Sequence, residues 1–479
     1  MLWPTGEVQT AGHAAKAGGF LVLAGALGYS PATIKTAAGK TVSHMLLTHY
    51  FDLPRLRNVS PVAVMICAAL FVVGMALLGS VKLAGAFYIL SLVLGLYLLW
   101  RLPRVQISLP VTIKLYLGFY LGFVALVIVH IVVLSASTHN IDQVSRIGFG
   151  LLNGFTFFAL FGFSREKLFN FVLIVAVAHA GVSIAVAIFQ AVDFTNFRIL
   201  ASRSHGVTNP IPFSEMLFTS VGLAAIAFAG RLDPVRSFVG VVLLALMIGV
   251  GIFAVFLTGT RGTLTAFVLL LPLIMIALFG KIRWWLASVF TIVVLAVGGI
   301  AATFLFAREP VVAMFMDFLQ GAPATVYPNN SIGMRLQLWT HGLDLIGSAP
   351  IFGHGINSMP QILQQPELGV DPRVSVFSHL HNQYLDIMMK MGLVGAVLFY
   401  VPLVIVFVVG IKMVWNPTDR TKGLALLWAG GSYAIYGLTQ VFYEHAATTL
   451  HYGVYVGMLL WLAPGGRYGD VCQRPETVS

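Results

Sequence analysis

The residues best suited to chemistry lie in Ser378-His379-Leu380-His381-Asn382, just ahead of an apolar run. A neutral imidazole is the usual group for taking a proton from a sugar hydroxyl near neutral pH. A histidine at a membrane boundary can equally be a structural hydrogen-bonder. Two histidines two apart share a face on a strand, where they can hold a metal, but point nearly opposite ways on a helix. Leu385, Met388, Met389, Gly392 and Leu393 recur every three or four residues, and Asp386 and Lys390 have i,i+4 spacing. His381 and Asn382 are therefore expected in the first turn of a helix, and no metal site is expected.

Three further stretches carry arginine. Thr258-Gly-Thr-Arg-Gly-Thr joins two apolar runs with no room for a loop, and flanking Gly259 and Gly262 let a ligand approach the backbone at Arg261. A boundary arginine is a functional-site candidate or a snorkelling anchor. Arg203 precedes the Gly206 to Pro210 turn, which leads into a run holding Glu215. Glu215 either orients an arginine or favours the helix start through its dipole. Arg335 opens an amphipathic segment, Met334 to Ile346, before a tight turn from Pro350 to Gly355, and reads as part of a structural cap or as an auxiliary phosphate contact. Tyr443, Glu444, His445 and His451 gather in the last outer loop, where Glu444 can orient His381.

The elements that must position these residues are membrane helices. With 58% hydrophobic residues, 9% charged residues and a mean hydropathy of +0.90, the chain is an all-α polytopic membrane protein. A span needs about 20 apolar residues. Twelve candidates follow: Pro61 to Gly79, Ala84 to Trp100, Lys114 to Leu134, Ile147 to Phe163, Leu168 to Gln190, Phe213 to Gly230, Ser237 to Thr258, Thr263 to Gly280, Trp284 to Phe306, Asn382 to Ile411, Gly423 to Val441, and Tyr452 to Leu462, the last expected to start a few residues earlier. Residues 1–59 are expected to be cytoplasmic or interfacial, 308–381 a long outer loop capping the site, and 464–479 a cytoplasmic tail.

With both termini inside, the inner side takes 19 of the 28 basic residues, as the positive-inside rule requires. Outside lie Lys82 and seven arginines: Arg146, Arg198, Arg203, Arg261, Arg308, Arg335 and Arg373. Arginine's planar fork matches phosphate oxygens two at a time. The net charge of +11 is spread in twos and threes beside apolar runs, so it points to membrane lipids and not to nucleic acid. Cys67 and Cys472 sit too differently to pair.

The His381-Asn-Gln-Tyr-Leu to Gly395 pattern, the Thr-Gly-Thr-Arg-Gly turn, and the Arg203 turn ending in Asn209-Pro210 resemble the O-antigen ligases of the WaaL type. With them goes a spaced Arg335, Trp339, Pro350, Gly353, Gly355 pattern. The larger group includes O-antigen polymerases and O-oligosaccharyltransferases. The resemblance implies a GT-C-type glycosyltransferase of the bacterial inner membrane, working on the periplasmic face without cofactor or essential metal. Its donor would be polysaccharide on undecaprenyl pyrophosphate, its acceptor the lipid A-core, and its outcome inversion.

By position, His381 is similar to the family's essential histidine, and Arg203 and Arg261 to its essential arginines. Arg335, Asn382, His379, Glu215 and Glu444 are the expected substrate contacts. His379, two residues before His381, is a departure that leaves the identity of the base open. A Wzy-type polymerase is the nearest alternative. A transporter fits less well, because the arginines gather at one face and do not line a path.

Overall fold

The computed structural model describes residues 60–102, 107–133, 139–193, 198–199, 204–206, 209–232, 237–279, 311–323, 326–327, 330–365, 370–465 and 467–468. Among these residues eight helices come before the cap: α1 (Pro61–Ala76), α2 (Ala84–Arg101), α3 (Val111–Val133), α4 (His139–Leu160), α5 (Arg165–Ala191), α6 (Pro210–Ala229), α7 (Phe238–Leu257) and α8 (Arg261–Phe279). The cap holds α9 (Val311–Leu319), α10 (Ser331–Ser348) and α11 (Met359–Leu363). The chain then runs through α12 (Gln383–Trp415), α13 (Arg420–Tyr436) and α14 (Ala446–Leu460). Two antiparallel pairs of two-residue strands complete it.

Eleven of the twelve expected spans coincide with a helix, while the ninth, Trp284 to Phe306, lies outside the described residues. By length and composition, seven helices among the described residues can cross a membrane: α2, α3, α5, α6, α7, α8 and α12. The last helix begins at Ala446, six residues before Tyr452, in line with the earlier start expected there.

Helix α6 is the axis of the bundle. Apart from Glu215 its 20 residues are apolar or small all round, and 17 of them are buried, as an enclosed helix requires. Asn209 starts it by accepting the Ile211 amide. Gly222 leaves room for Trp428 of α13: a Cβ there would stand 1.8 Å from the indole. The indole stacks on Phe218 and donates to the Thr219 carbonyl at 3.1 Å.

Without a hydrophobic force between helices in lipid, close approach depends on small residues. Gly150 and Gly154 of α4 face Gly453 and Gly457 of α14, where a Cβ on Gly150 would lie 2.0 Å from the Gly453 carbonyl carbon. A buried polar chain joins the same centre. His179 Nε2 donates to the Leu78 carbonyl at 3.1 Å, so its Nδ1 accepts from Ser220 at 2.9 Å. Ser220 accepts from His451 Nε2 at 3.0 Å, and His451 Nδ1 accepts from Tyr433 at 2.8 Å. His451 is thus part of the bundle core and does not join His381 in an outer cluster.

The expected single span from Asn382 to Ile411 is broken. Gly392 sits at φ 62° and ψ −164° inside α12. In an unbroken helix the Leu393 and Val394 amides would bond the Met389 and Lys390 carbonyls. Here the Leu393 amide donates to Pro350 (2.8 Å) and the Val394 amide to Ile351 (3.2 Å). The freed Met389 and Lys390 carbonyls accept from His354 (3.0 Å) and Gly355 (2.8 Å). The Pro350 to Gly355 turn is inserted into two opened rungs of α12 and satisfies all four groups. That insertion fastens the cap to the membrane helix.

Candidate active site

The His379 to Asn382 loop enters α12 from the cap, and it is held from α10, from α12 and from the segment after α13. Asn382 is the N-cap, its Oδ1 accepting from the Tyr384 (3.0 Å) and Leu385 (3.2 Å) amides. His381 therefore lies outside the first turn where it was expected, in the left-handed region at φ 51°. The reason is local: the cap residue must leave helical geometry, and the chain must turn sharply before it.

Leu380 is the anchor. Its amide donates to Asp386 Oδ1 at 2.9 Å, and its carbonyl accepts from the Trp339 indole of α10 at 2.9 Å. Its side chain is fully buried among Leu338, Met359, Leu363 and Met389, over Gly342, where a Cβ would come within 2.6 Å. Trp339 of the spaced pattern thus holds the loop from the cap side.

His381 Nδ1 lies 2.8 Å from Gln440 Oε1, and Gln440 Nε2 lies 2.9 Å from His445 Nε2. His379 stands edge-on to His381 with ring centroids 4.2 Å apart, and its Nδ1 accepts the His381 amide at 3.2 Å. No described residue bonds His381 Nε2. Of the two histidines, a neutral His379 whose Nδ1 accepts carries its proton on Nε2, so it has no spare lone pair, whereas the bond to an amide oxygen puts the His381 proton on Nδ1 and leaves its Nε2 open. Burial pushes His381 down to about 4; Gln440 opposes that and the Arg335 and His445 charges add to it. Burial, then His381, Lys390, His445 and Arg335, pushes His379 to about 2. Both rings are neutral at pH 7.

Glu444, expected to orient His381, instead pairs with Lys390. Lys390 also binds Asp386 at 2.8 Å, making a buried triad of two carboxylates and one ammonium behind the loop. Gln440 takes the place at His381 that was assigned to Glu444. Gln440 has no motif signature, whereas a lysine within an apolar run is itself a signal of a buried partner.

Arg335 is half-buried on α10 and folds back to Ser331, to its carbonyl at 3.3 Å and hydroxyl at 3.0 Å. Burial lowers it from its ordinary value, and its charge reaches both loop histidines. Arg261 opens α8, whose start is bracketed by Ser214 Oγ at 2.8 Å from Thr263 Oγ1 and by Thr439 against Gly262. The α8 start thus abuts the residue before Gln440. Arg203 lies outside the described residues, but the next residue, Ser204, is buried and donates its amide to Leu257 at 3.2 Å, four residues before Arg261. Glu215 is buried in α6, and among the described residues nothing bonds its Oε2.

The fold and this clustering define a polytopic membrane protein with a capped polar site at one end of its bundle. The O-antigen ligase family model matches residues 241–400, from α7 through the cap to the first part of α12. That stretch, about a third of the chain, is similar to the O-antigen ligases. The chain is also 29% identical over 128 residues to an uncharacterized protein of Haemophilus influenzae. That stretch is 26% of this chain and 32% of the relative, so the chain spans about a third of the relative's length.

Proposed function

We propose that the protein is an O-antigen ligase: it moves polysaccharide from undecaprenyl pyrophosphate to a hydroxyl of the lipid A-core on the periplasmic face of the inner membrane. The observation that carries this reading is a neutral His381 with an open Nε2, held by the cap and by α12 at the end of the bundle where Arg261 begins α8.

His381 Nε2 accepts the acceptor hydroxyl proton as that oxygen bonds to the anomeric carbon. The bond from that carbon to the pyrophosphate oxygen breaks, and the leaving group departs with the electron pair. Attack from the opposite face inverts the centre. Arg203, Arg261 and Arg335 supply guanidinium charge where negative charge develops, which is worth most in a water-poor site. Two lipid-anchored substrates held by one bundle meet with a reduced entropic barrier.

The test is transfer by the purified protein in lipid, with undecaprenyl-pyrophosphate-linked polysaccharide and lipid A-core. His381→Ala is expected to abolish transfer while remaining membrane-inserted; full activity of that variant refutes the role. Omitting lipid A-core separates the alternative, since only a polymerase lengthens the donor.

A further inference from the structure

Beyond His381 itself, the amide of Gln440 decides which imidazole nitrogen is available. Gln440 is only 3% exposed and lies between two histidines that do not bond each other. Its own amide donates to the Tyr436 carbonyl at 2.9 Å, fixing it on the end of α13, and neighbouring Thr439 packs on Gly262 at the start of α8. A side-chain carbonyl only accepts, so Oε1 facing Nδ1 requires the proton on Nδ1 and leaves Nε2 with its lone pair. On the far side the amide nitrogen only donates, so His445 Nε2 is an acceptor.

If the amide were turned over, Nδ1 would have to accept, the proton would move to Nε2, and the open nitrogen would be an acid instead of a base. The direction of one neutral amide is therefore equivalent to the choice of tautomer.

We propose that Gln440 is a positioning residue for transfer, holding His381 as the Nδ1–H tautomer with Nε2 as proton acceptor, and held in turn by His445. This rests on the reading of His381 as the base. A carboxylate is the commoner partner for a catalytic imidazole, but here it would add negative charge where a pyrophosphate must bind. A neutral amide selects the tautomer without that repulsion. The charged and titratable groups around the ring are His379 on its own loop, Arg335 on α10, and His445 on the last loop. Behind them stands the Lys390–Asp386–Glu444 triad.

The experiment compares wild type, Gln440→Leu, Gln440→Glu and His381→Ala in lipid bilayers. The transfer assay with undecaprenyl-pyrophosphate-linked polysaccharide and lipid A-core is run across pH, and nitrogen-15 NMR is recorded with labelled histidine. The His381 signals are found by difference against His381→Ala. The wild type is expected to show Nδ1 protonated and Nε2 bare. Gln440→Leu is expected to lose that preference and about 10²-fold in rate, the lower end of what general-base catalysis supplies. Gln440→Glu places an anion on Nδ1–H and is expected to move the acid limb of the rate profile up by about one pH unit or more.

A wild-type spectrum with the proton on Nε2 overturns the proposal, and needs no variant to fold. So does a Gln440→Glu profile superimposable on wild type, or a fully active Gln440→Leu. If His381→Ala is itself active, the base assignment fails first; if it is dead while the Gln440 variants behave as wild type, only the role of Gln440 is lost.

Discussion

Gly392→Ala is the sharpest test of how the cap is fastened. The glycine sits at φ 62° and ψ −164°, a region open in practice only to glycine, and a Cβ there would lie 2.3 Å from the Ile351 carbonyl group. Retaining the docked geometry costs about 1–3 kcal/mol in backbone strain before the overlap is relieved. The way out is to close α12 into a continuous helix: its two opened rungs re-form, and the four bonds to the Pro350 to Gly355 turn are lost. That is a net loss of two hydrogen bonds, about 1–3 kcal/mol, partly offset by alanine's helix propensity of about 1 kcal/mol over glycine.

The hydrogen-bond cost of release is common to wild type and variant, so the change is the strain plus the propensity, about 2–4 kcal/mol, and the docked cap loses roughly 30-fold to 1,000-fold in population relative to the released one. Amide exchange at His354, Gly355, Leu393 and Val394 reads this directly, and transfer activity should fall with it, because the cap carries Trp339. Gly347→Ala in α10, where no atom lies within 4 Å of the added Cβ, is the control and should be neutral. Wild-type protection at those four amides in Gly392→Ala would refute the inserted-turn account.

Three other outcomes follow. Because burial depresses His381, it is neutral at pH 7 and gains a proton only as pH falls toward about 4; kcat/KM should be flat from about pH 6 to 8 and fall on the acid side, as a pH–rate profile will show. Trp339→Phe keeps an aromatic ring but removes the donor to the Leu380 carbonyl, so thermal unfolding should report a loss of about 1–3 kcal/mol, with reduced transfer at normal membrane insertion. Lys390→Met strands two carboxylates in a buried site and should destabilise by about 3–5 kcal/mol; adding Asp386→Asn and Glu444→Gln should recover most of it in the same melt.

The spans were legible because an apolar run of bilayer length has few other fates, and the cap helix because Leu336, Leu338, Trp339, Leu343 and Ile346 recur at helical spacing, although Leu343 is half exposed. The break at Gly392 was not, since hydropathy is continuous across it and the turn that fills it lies some forty residues upstream. Asp386 and Lys390 announced a pair by spacing, but the third member, Glu444, comes from another element and was assigned to His381 instead. His451 was misplaced for a related reason. A polar residue near a helix start fits an outer cluster as well as a buried network, and only the helix–helix contacts made by Gly453 and Gly457 decide between them.

The four-residue loop shows why its residue types are so particular. Leu380 uses both backbone groups, on Asp386 and Trp339, and its side chain fills the cap core. Asn382 uses its carbonyl oxygen on the helix start and its amide nitrogen on the Leu438 carbonyl at 3.3 Å. His379 bonds the backbone of His381, and His381 commits Nδ1 to Gln440. The anchoring bonds come from α10, from α12 itself and from the segment after α13, three elements that meet only in the folded bundle. A loop tied to three separate elements has little freedom to reorient, and against those commitments His381 Nε2 keeps its lone pair uncommitted among the described residues. Rigid support with one reactive valence left open is what general-base catalysis asks of a protein, and it ties the chemistry of this end of the bundle to the docking of its cap.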